Sequence, residues 1–429
     1  MKHQHLTTLA AWCARILSAA IQFFVLKEWA RILDLDHLAA ISIFFSMQGW
    51  LFLSDCQLGA GVQNIIAERK AQGKRYSCAI IAACRMNVRC FFAFSLLWTF
   101  CFYAVGAVVF RNLNVDMTGV FLLSFYISGL FLIASGNAQV YYKILMGEGS
   151  GYLSYVLQVL VQAVGYCLLL AVPNSHGSGV SLLLTSLSAF FPPAAIPAIF
   201  LIRRYGKENK FDVEELAVSV REISNRAKRF FPYSLLAAVV LYTDIMTVSA
   251  ISSSATAAGN VTLYFTLSKI FAILFFVFNA SLTATAPVIS GLYVKNEFSQ
   301  IKKSAYGLVA FGCLVISFGS VVLYFFLDDV LAYLSGAGRV RVSIRTFILF
   351  VAYQYIGVWQ GTWAMLLNAM SEVRSLTMLT PFQAVLNVAL MLLLGRLYEV
   401  NGIVMALIAS SLMTTCWFLP MSVNKLLNK

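Results

Sequence analysis

The sequence predicts an all-α, polytopic integral membrane protein with about twelve transmembrane helices in two six-helix bundles. Three observations lead there. The chain is 60% hydrophobic and 11% charged, with a mean hydropathy of +0.81, outside the range of soluble globular domains. Apolar segments recur along all 429 residues, each near the roughly 20 residues that a helix needs to cross a hydrocarbon core of about 30 Å. The alternating polarity of membrane strands, about 10 residues each, is missing. The first apolar segment lacks a small-residue cleavage site and is followed by further spans, so it is expected to stay as a helix.

Taken in order, span 1 is predicted over Thr7–Leu26 and span 2 over Leu38–Ala67. Span 2 reads as one long apolar helix carrying Gln48 and Asp55, then Gly59, Ala60 and Gly61, and ending in Arg69, Lys70, Lys74 and Arg75. Span 3 covers Ser77–Phe110, span 4 Met117–Tyr142, span 5 Tyr152–Val172 and span 6 Val180–Ile202. Pro192, Pro193 and Pro197 in span 6 mark kinks or breaks, as does Pro287 in span 8. A polar, basic segment from Arg203 to Arg229 separates the halves. Spans 7 to 12 follow over Phe230–Ser253, Gly259–Val294, Ala305–Leu327, Ile344–Asn368, Ser375–Leu394 and Gly402–Val423. The expected domains are therefore 1–202, a cytoplasmic linker 203–229, and 230–429. The closing stretches of spans 2 and 8 look alike, small residues giving way to a short charged linker. That echo fits parallel repeats of six helices.

Basic residues set the orientation. With the N-terminus inside, cytoplasmic segments hold 20 of the 31 Lys and Arg residues, the opposite face seven. Both termini are expected in the cytoplasm. The net charge of +13 is then accounted for by loops, with no need for nucleic acid. The nine cysteines show no zinc spacing, and the four histidines are scattered, so packed, reduced thiols are expected.

Charges inside the spans are the most informative residues, because they are costly in lipid and face protein or a wet cavity. Arg15 lies about 12 Å into span 1 and Asp55 about 18 Å from the inner end of span 2, so they could meet. Asp244 and Lys269 share a depth of about 15 Å in spans 7 and 8. Two readings fit: ion pairs that hold helices together, or cavity charges that meet a substrate or a coupling ion. Arg85 and Arg89, at i and i+4 on span 3, either snorkel to headgroups or form a cationic portal for phosphate, whose oxygens suit the guanidinium fork. Tyr155, Gln158, Gln162 and Tyr166 line one face of span 5. Tyr355, Trp359 and Trp363 line span 10, with Gln354 and Gln360 beside them. Asn137, Gln139, Gln383 and Asn387 add buried amides. Such stripes could hold sugar rings, against interhelical hydrogen bonding for the amides and lipid-facing positions for the Trp residues.

No glycine loop of the nucleotide-binding kind precedes a Lys, and no Ser-His-Asp set or metal cluster can be drawn. A transporter is expected rather than an enzyme, with no cofactor and no metal. A glycan polymerase would carry a large outer loop, whereas the long loop here is cytoplasmic. A multidrug or cation antiporter would favour acidic spans, whereas basic residues outnumber acidic ones here.

Leu51–Lys74, LFLSDCQLGAGVQNIIAERKAQGK, resembles the second helix of the polysaccharide transport branch of the MOP exporter superfamily, where an Asp precedes a Gly-Leu-Gly-like turn and a charged loop. Leu263–Glu297, with FTLSK at Phe265–Lys269, resembles that family's eighth helix. Length and layout agree over the whole chain, and the likeness is strongest to O-antigen (Wzx-type) flippases. Here the turn reads Cys56-Gln57-Leu58-Gly59 in place of Phe-Gly-Leu-Gly. The resemblance implies a bacterial inner-membrane protein that moves undecaprenyl-diphosphate-linked oligosaccharide from the cytoplasmic to the periplasmic leaflet by alternating access. It implies an H+ or Na+ gradient as the drive, and glycan polymerase and ligase machinery as partners. Under that reading Arg15, Lys269, Arg85 and Arg89 neutralise the diphosphate, and Asp55 or Asp244 takes up the coupling ion. Tyr155, Gln158, Gln162, Trp359, Gln360 and Trp363 meet the sugars.

Overall fold

In the computed structural model the described residues are 2–115, 119–173, 179–205, 213–335, 342–370 and 372–428, and among them every regular element is a helix. The order is α1 (Lys2–Ile32), α2 (Leu35–Leu51), a 3-10 turn (Phe52–Asp55), α3 (Leu58–Ala71), α4 (Ser77–Val109), α5 (Gly119–Gly147), α6 (Gly151–Leu170) and α7 (Gly179–Tyr205). Then come α8 (Val213–Tyr242), α9 (Asp244–Ile251), α10 (Ala257–Val294), α11 (Phe298–Ser335), α12 (Ile344–Ala369), α13 (Val373–Met413) and α14 (Thr415–Leu427). Eight helices among the described residues are long and apolar enough to cross a membrane, nine if the bent pair α8 and α9 is one span. Reading α2–α3 and α8–α9 as single crossings, and dividing α13 at Glu399, where the backbone is non-helical, gives the twelve expected.

Several boundaries differ from the sequence reading. Span 2 is not one helix: it breaks at Cys56 and Gln57, both left-handed, at φ 49° and 62°. The segment 203–229 is largely helical, because α7 runs to Tyr205 and α8 begins at Val213 with Glu214 and Glu215 in its first turn, where acids favour a helix N-terminus. Residues 206–212 lie outside the described residues, as does Met117, the predicted start of span 4. The prolines are not where helices break. α7 continues through Pro192, Pro193 and Pro197, and α10 through Pro287. The breaks fall at Cys56–Gln57, at Thr243 with a 47° bend, at Glu399 and at Thr414.

By internal packing the chain divides into Met1–Ala238 and Val239–Lys429. In the first unit α5 is the hub, lying against α3, α4 and α7. Its small residues allow this: a Cβ added at Gly129 would sit 2.1 Å from the Trp98 ring, and one at Gly147 2.8 Å from the Gln63 carbonyl. Ile65, Ile66, Ala79, Ala83, Val140 and Ile144 fill the seam of α3, α4 and α5. In the second unit Phe278, Leu282, Ile316 and Val358 make the corresponding core of α10, α11 and α12. Each unit also carries one helix whose apolar window is only 17% buried, α4 and α11. Phe92, Leu96 and Phe100 on the one, and Leu314, Phe318 and Phe325 on the other, form the outward faces that lipid would solvate. All nine cysteines are free thiols; Cys13, Cys101 and Cys167 are exposed rather than packed, on the same kind of outward surface.

Candidate functional site

The first polar centre is the break in span 2. Once the backbone leaves the helix at Cys56, the amides that open α3 need acceptors. Asp55 supplies them, taking hydrogen bonds from the amides of Gln57 at 2.8 Å and Gly59 at 3.3 Å. Its carboxylate thus sits at the positive end of a half-helix, where negative charge is favoured. It is 7% exposed, and Lys143 of α5 supplies a nearby positive charge, its stem lying over Gly59. Ser54 donates to the Ile133 carbonyl at 3.1 Å, and Asn137 donates to Ser54 Oγ at 3.0 Å, so α5 holds the bend from the other side. Gly136 makes the approach possible, since a Cβ there would lie 2.7 Å from the Phe52 Cα. Beside the bend, between α4, α5 and α7, is a cavity of about 260 Å³. It is largely apolar, with the amides of Asn87 and Asn137 on its wall. Asn87 donates to the Asn137 carbonyl at 3.0 Å, while Oδ1 of both side chains is buried without a protein partner.

The second unit has its own polar set. Asp244 opens α9 and accepts from the Ile245 amide at 2.8 Å and from the buried Tyr264 hydroxyl at 2.7 Å. Lys269, partly buried on α10, places its ammonium 5.2 Å from the centre of the Phe265 ring. Asn387 donates to the Val240 carbonyl at 3.2 Å and accepts from Ser410 at 3.0 Å. Asn260 donates to Glu399 at 2.9 Å, and Thr256 does so at 3.1 Å, at the kink of α13. Both intramembrane acids named from sequence therefore stand at helix breaks and accept from the amides that open the next half-helix. Tyr264, Lys143, Asn260 and Glu399 were not singled out from sequence. Lys143 and Tyr264 belong to the breaks at Cys56–Gln57 and Thr243, which carry no Gly or Pro at the break itself, whereas Glu399 lies between the predicted spans 11 and 12 and Asn260 at the predicted start of span 8.

Arg15 lies partly buried on α1, whereas Arg85 and Arg89 are exposed on α4. Of the sugar candidates, Tyr155, Gln158 and Gln162 are partly buried on α6. Gln158 reaches Ser154 at 3.4 Å, and Gln162 Oε1 is buried with no protein partner. On α12, Trp359 donates to the Cys416 carbonyl at 2.9 Å and Gln360 to Thr415, so both brace the break before α14. Trp363 is 1% exposed and packs edge-on to Tyr306 at 5.8 Å, a packed rather than a lipid-facing ring. Its indole N–H has no protein acceptor. Buried groups left in this state are places where a ligand or water completes the bonding.

A third cluster joins the end of α3 to α8. Arg226 forks onto both carboxylate oxygens of Glu68, at 2.8 and 2.6 Å, and Arg69 reaches Glu215 at 3.4 Å and Glu222 at 3.1 Å. The guanidinium beside it holds the Glu68 carboxyl below the ordinary glutamate range. These pairs border a charged depression of about 490 Å³ that includes Lys74 and Arg75.

No protein-family model matches the chain. A protein of Yersinia pseudotuberculosis assigned as an O-antigen export protein is 29% identical, the match covering 96% of this chain and 94% of that protein. One of Salmonella typhi assigned as an O-antigen transporter is 26% identical over 97% of this chain and 95% of its own length. Among solved structures, an inward-facing multidrug resistance MATE family transporter of the MOP superfamily superposes with a TM-score of 0.77 at 11% identity, over 98% of this chain and 99% of that one. The lipid II flippase MurJ superposes with a TM-score of 0.69 at 12% identity, over 98% and 87%. At such identities the structural likeness establishes the fold alone.

Proposed function

We propose that this chain, a polytopic transporter with the MOP-superfamily fold, translocates a lipid-linked saccharide, namely an undecaprenyl-diphosphate-linked O-antigen or related repeat unit. It does so from the cytoplasmic to the periplasmic leaflet of a bacterial inner membrane. The observation that carries this reading is likeness along nearly the whole chain to proteins assigned to O-antigen transport. The charge pattern supports it. A diphosphate needs cations, and Arg15 in one unit and Lys269 in the other are basic residues within the spans. A carrier of organic cations would place acids there instead.

Alternating access in this fold is helped by helices that are already broken, because a bend at a fixed joint costs less than breaking a straight helix anew. Asp55 and Asp244, each at such a joint, are suited to couple an H+ or Na+ gradient to bending. Binding of a cation would withdraw the carboxylate from the amides it caps. Gln162 and Trp363, with buried polar atoms awaiting partners, are assigned to the saccharide.

The test is complementation of a strain that lacks its own O-antigen transporter, with surface glycan as the readout. The unaltered chain is expected to restore glycan, whereas Arg15→Ala and Lys269→Ala are expected to reduce it strongly at normal protein levels. Full glycan in both variants would overturn the diphosphate role of the two cations. Failure of the unaltered chain with matched saccharides would overturn the substrate reading.

A further inference from the structure

A second depression lies on the outside of the first unit, between α5, α6 and α7, and has no part in the translocation argued above. Its volume is about 370 Å³, within the range of small-molecule sites. One wall is apolar: Leu153, Val156, Leu157 and Leu160 of α6, opposite Leu145 of α5 and Phe200 of α7. Leu153, Val156, Leu160 and Phe200 are 37%, 56%, 45% and 45% exposed, so the groove is open along its side to whatever surrounds the protein. In a membrane that is acyl chain.

The groove has a charged end. Arg203 and Arg204 close it where α7 finishes, beside the short turn that joins α5 to α6. Arg204 is paired at 2.9 Å with Glu148, a carboxylate 7% exposed, and Lys70 donates to the carbonyl of the same residue. Two cations therefore meet at Glu148, one on its carboxylate and one on its backbone carbonyl. Arg203 is exposed, and none of the described carboxylates pairs with it. Among the described residues, the excess positive charge at the mouth has no carboxylate counter-ion beyond Glu148, and the wall below has no cover.

We propose that this groove binds an anionic glycerophospholipid of the surrounding leaflet, one acyl chain along α6 and the phosphate on Arg203 and Arg204. Basic recesses between helices at the cytoplasmic face recognise such headgroups by charge. The wall accommodates the upper part of one chain, which an ordinary bilayer lipid of the leaflet supplies, and competition with a polyprenyl phosphate separates that occupant from the carrier of the transported saccharide. From Leu153 to Leu160 the wall runs about 10 Å at 1.5 Å per residue. That is less than one leaflet of a hydrocarbon core about 30 Å thick. A lipid lying in it has its phosphate at the level of the arginines and the upper part of one chain against α6. Bound there, it would tie the ends of α5 and α7 together, next to the turn at Glu148.

The test is native mass spectrometry of the purified full-length chain, titrated with phosphatidylglycerol or with phosphatidylcholine. Phosphatidylglycerol is expected to be retained in preference. Arg203→Gln should weaken its retention about fivefold, the equivalent of about 1 kcal/mol for one basic residue at an anionic surface. Val156→Trp, at an exposed position that tolerates bulk, should remove binding by filling the groove, with the melting temperature unchanged. Arg345→Gln, an exposed arginine of the other unit, should have no effect. Equal retention of the two lipids, or unchanged binding in both groove variants, would overturn the proposal. So would displacement of phosphatidylglycerol by undecaprenyl phosphate, which would make the groove part of the substrate path instead.

Discussion

At Asp55 an observed helix cap and a proposed coupling role meet in one side chain, and they can be separated by chemistry. Its oxygens cap the amides of Gln57 and Gly59, which any acceptor of similar shape can do, while the proposed uptake of a coupling ion needs a charge that only a carboxylate offers. Asn retains an acceptor oxygen and ranks beside Asp as a helix cap, whereas Ala loses the cap at a cost of about 1 kcal/mol. Asp55→Asn is therefore expected to melt close to the unaltered protein while exporting several-fold less glycan. Asp55→Ala is expected to lose both stability and export. Thermal unfolding in detergent and surface glycan, measured on the same preparations, check this. Normal export by Asp55→Asn would reduce Asp55 to a cap. The same reasoning explains why its presence could be read from sequence but its partners could not. An acid in an apolar run is conspicuous by its cost in lipid. Nothing in the run announces that the acceptor is spent on the chain's own amides, because that depends on a break two residues later.

At the scale of the element, the break is made without glycine or proline. Cys56 and Gln57 both adopt left-handed backbone, which costs a residue with a Cβ about 1 kcal/mol or more. The related pattern, Gly-Leu-Gly where this chain has Gln57-Leu58-Gly59, was the one hint that the helix bends there. Periodicity alone ran straight through it, since both halves of span 2 are apolar. The opposite error arose at Pro192, Pro193 and Pro197, which signal breaks by rule yet lie inside continuous α7. In lipid-embedded helices neighbouring groups satisfy the freed carbonyls. Gln57→Gly is expected to raise the melting temperature, because glycine enters that conformation freely. Gln57→Val is expected to lower it, since a β-branched residue there is strained. Gly136→Ala should also destabilise, by about 1–3 kcal/mol, as its methyl would drive into the Phe52 and Ser54 backbone and side chain. If all three melt alike, the bend is not a fixed joint.

For the whole molecule, the repeat that the sequence suggested only at the ends of spans 2 and 8 has a structural counterpart in how helices stop. The Lys74 amide bonds back to the Arg69 carbonyl at 2.8 Å, with Gly73 left-handed before it. The Glu297 amide bonds to Leu292 at 3.0 Å, with left-handed Asn296 before it. Both are the reverse turn by which helices commonly end. The same six-residue closure recurs after α5, from Ser150 to Leu145 at 2.9 Å, and after α12, from Glu372 to Leu367 at 2.8 Å. Glu297 follows Lys74 by 223 positions and Glu372 follows Ser150 by 222, so the two halves stop their helices in register. With twelve crossings in alternation, all four closures are expected on one face of the membrane. That face would also receive Arg69, Lys70, Lys74, Arg75, Lys143, Arg203, Arg204 and Lys295, while the other would receive Lys27, Arg31, Arg111, Arg345 and Arg396. Short loops rich in Lys and Arg stay in the cytoplasm, so we propose that the face bearing the closures and both termini is cytoplasmic. A fluorescent protein fused after Lys429 should therefore fold and fluoresce, whereas alkaline phosphatase at the same point should be inactive. Phosphatase fused to a chain cut within 111–115, after the third crossing, should be active. The reverse pattern would invert the topology and put the arginine-closed groove in the outer leaflet. It would also turn the proposed direction of transport around, because the closures, the basic loops and the termini are linked by parity and move together.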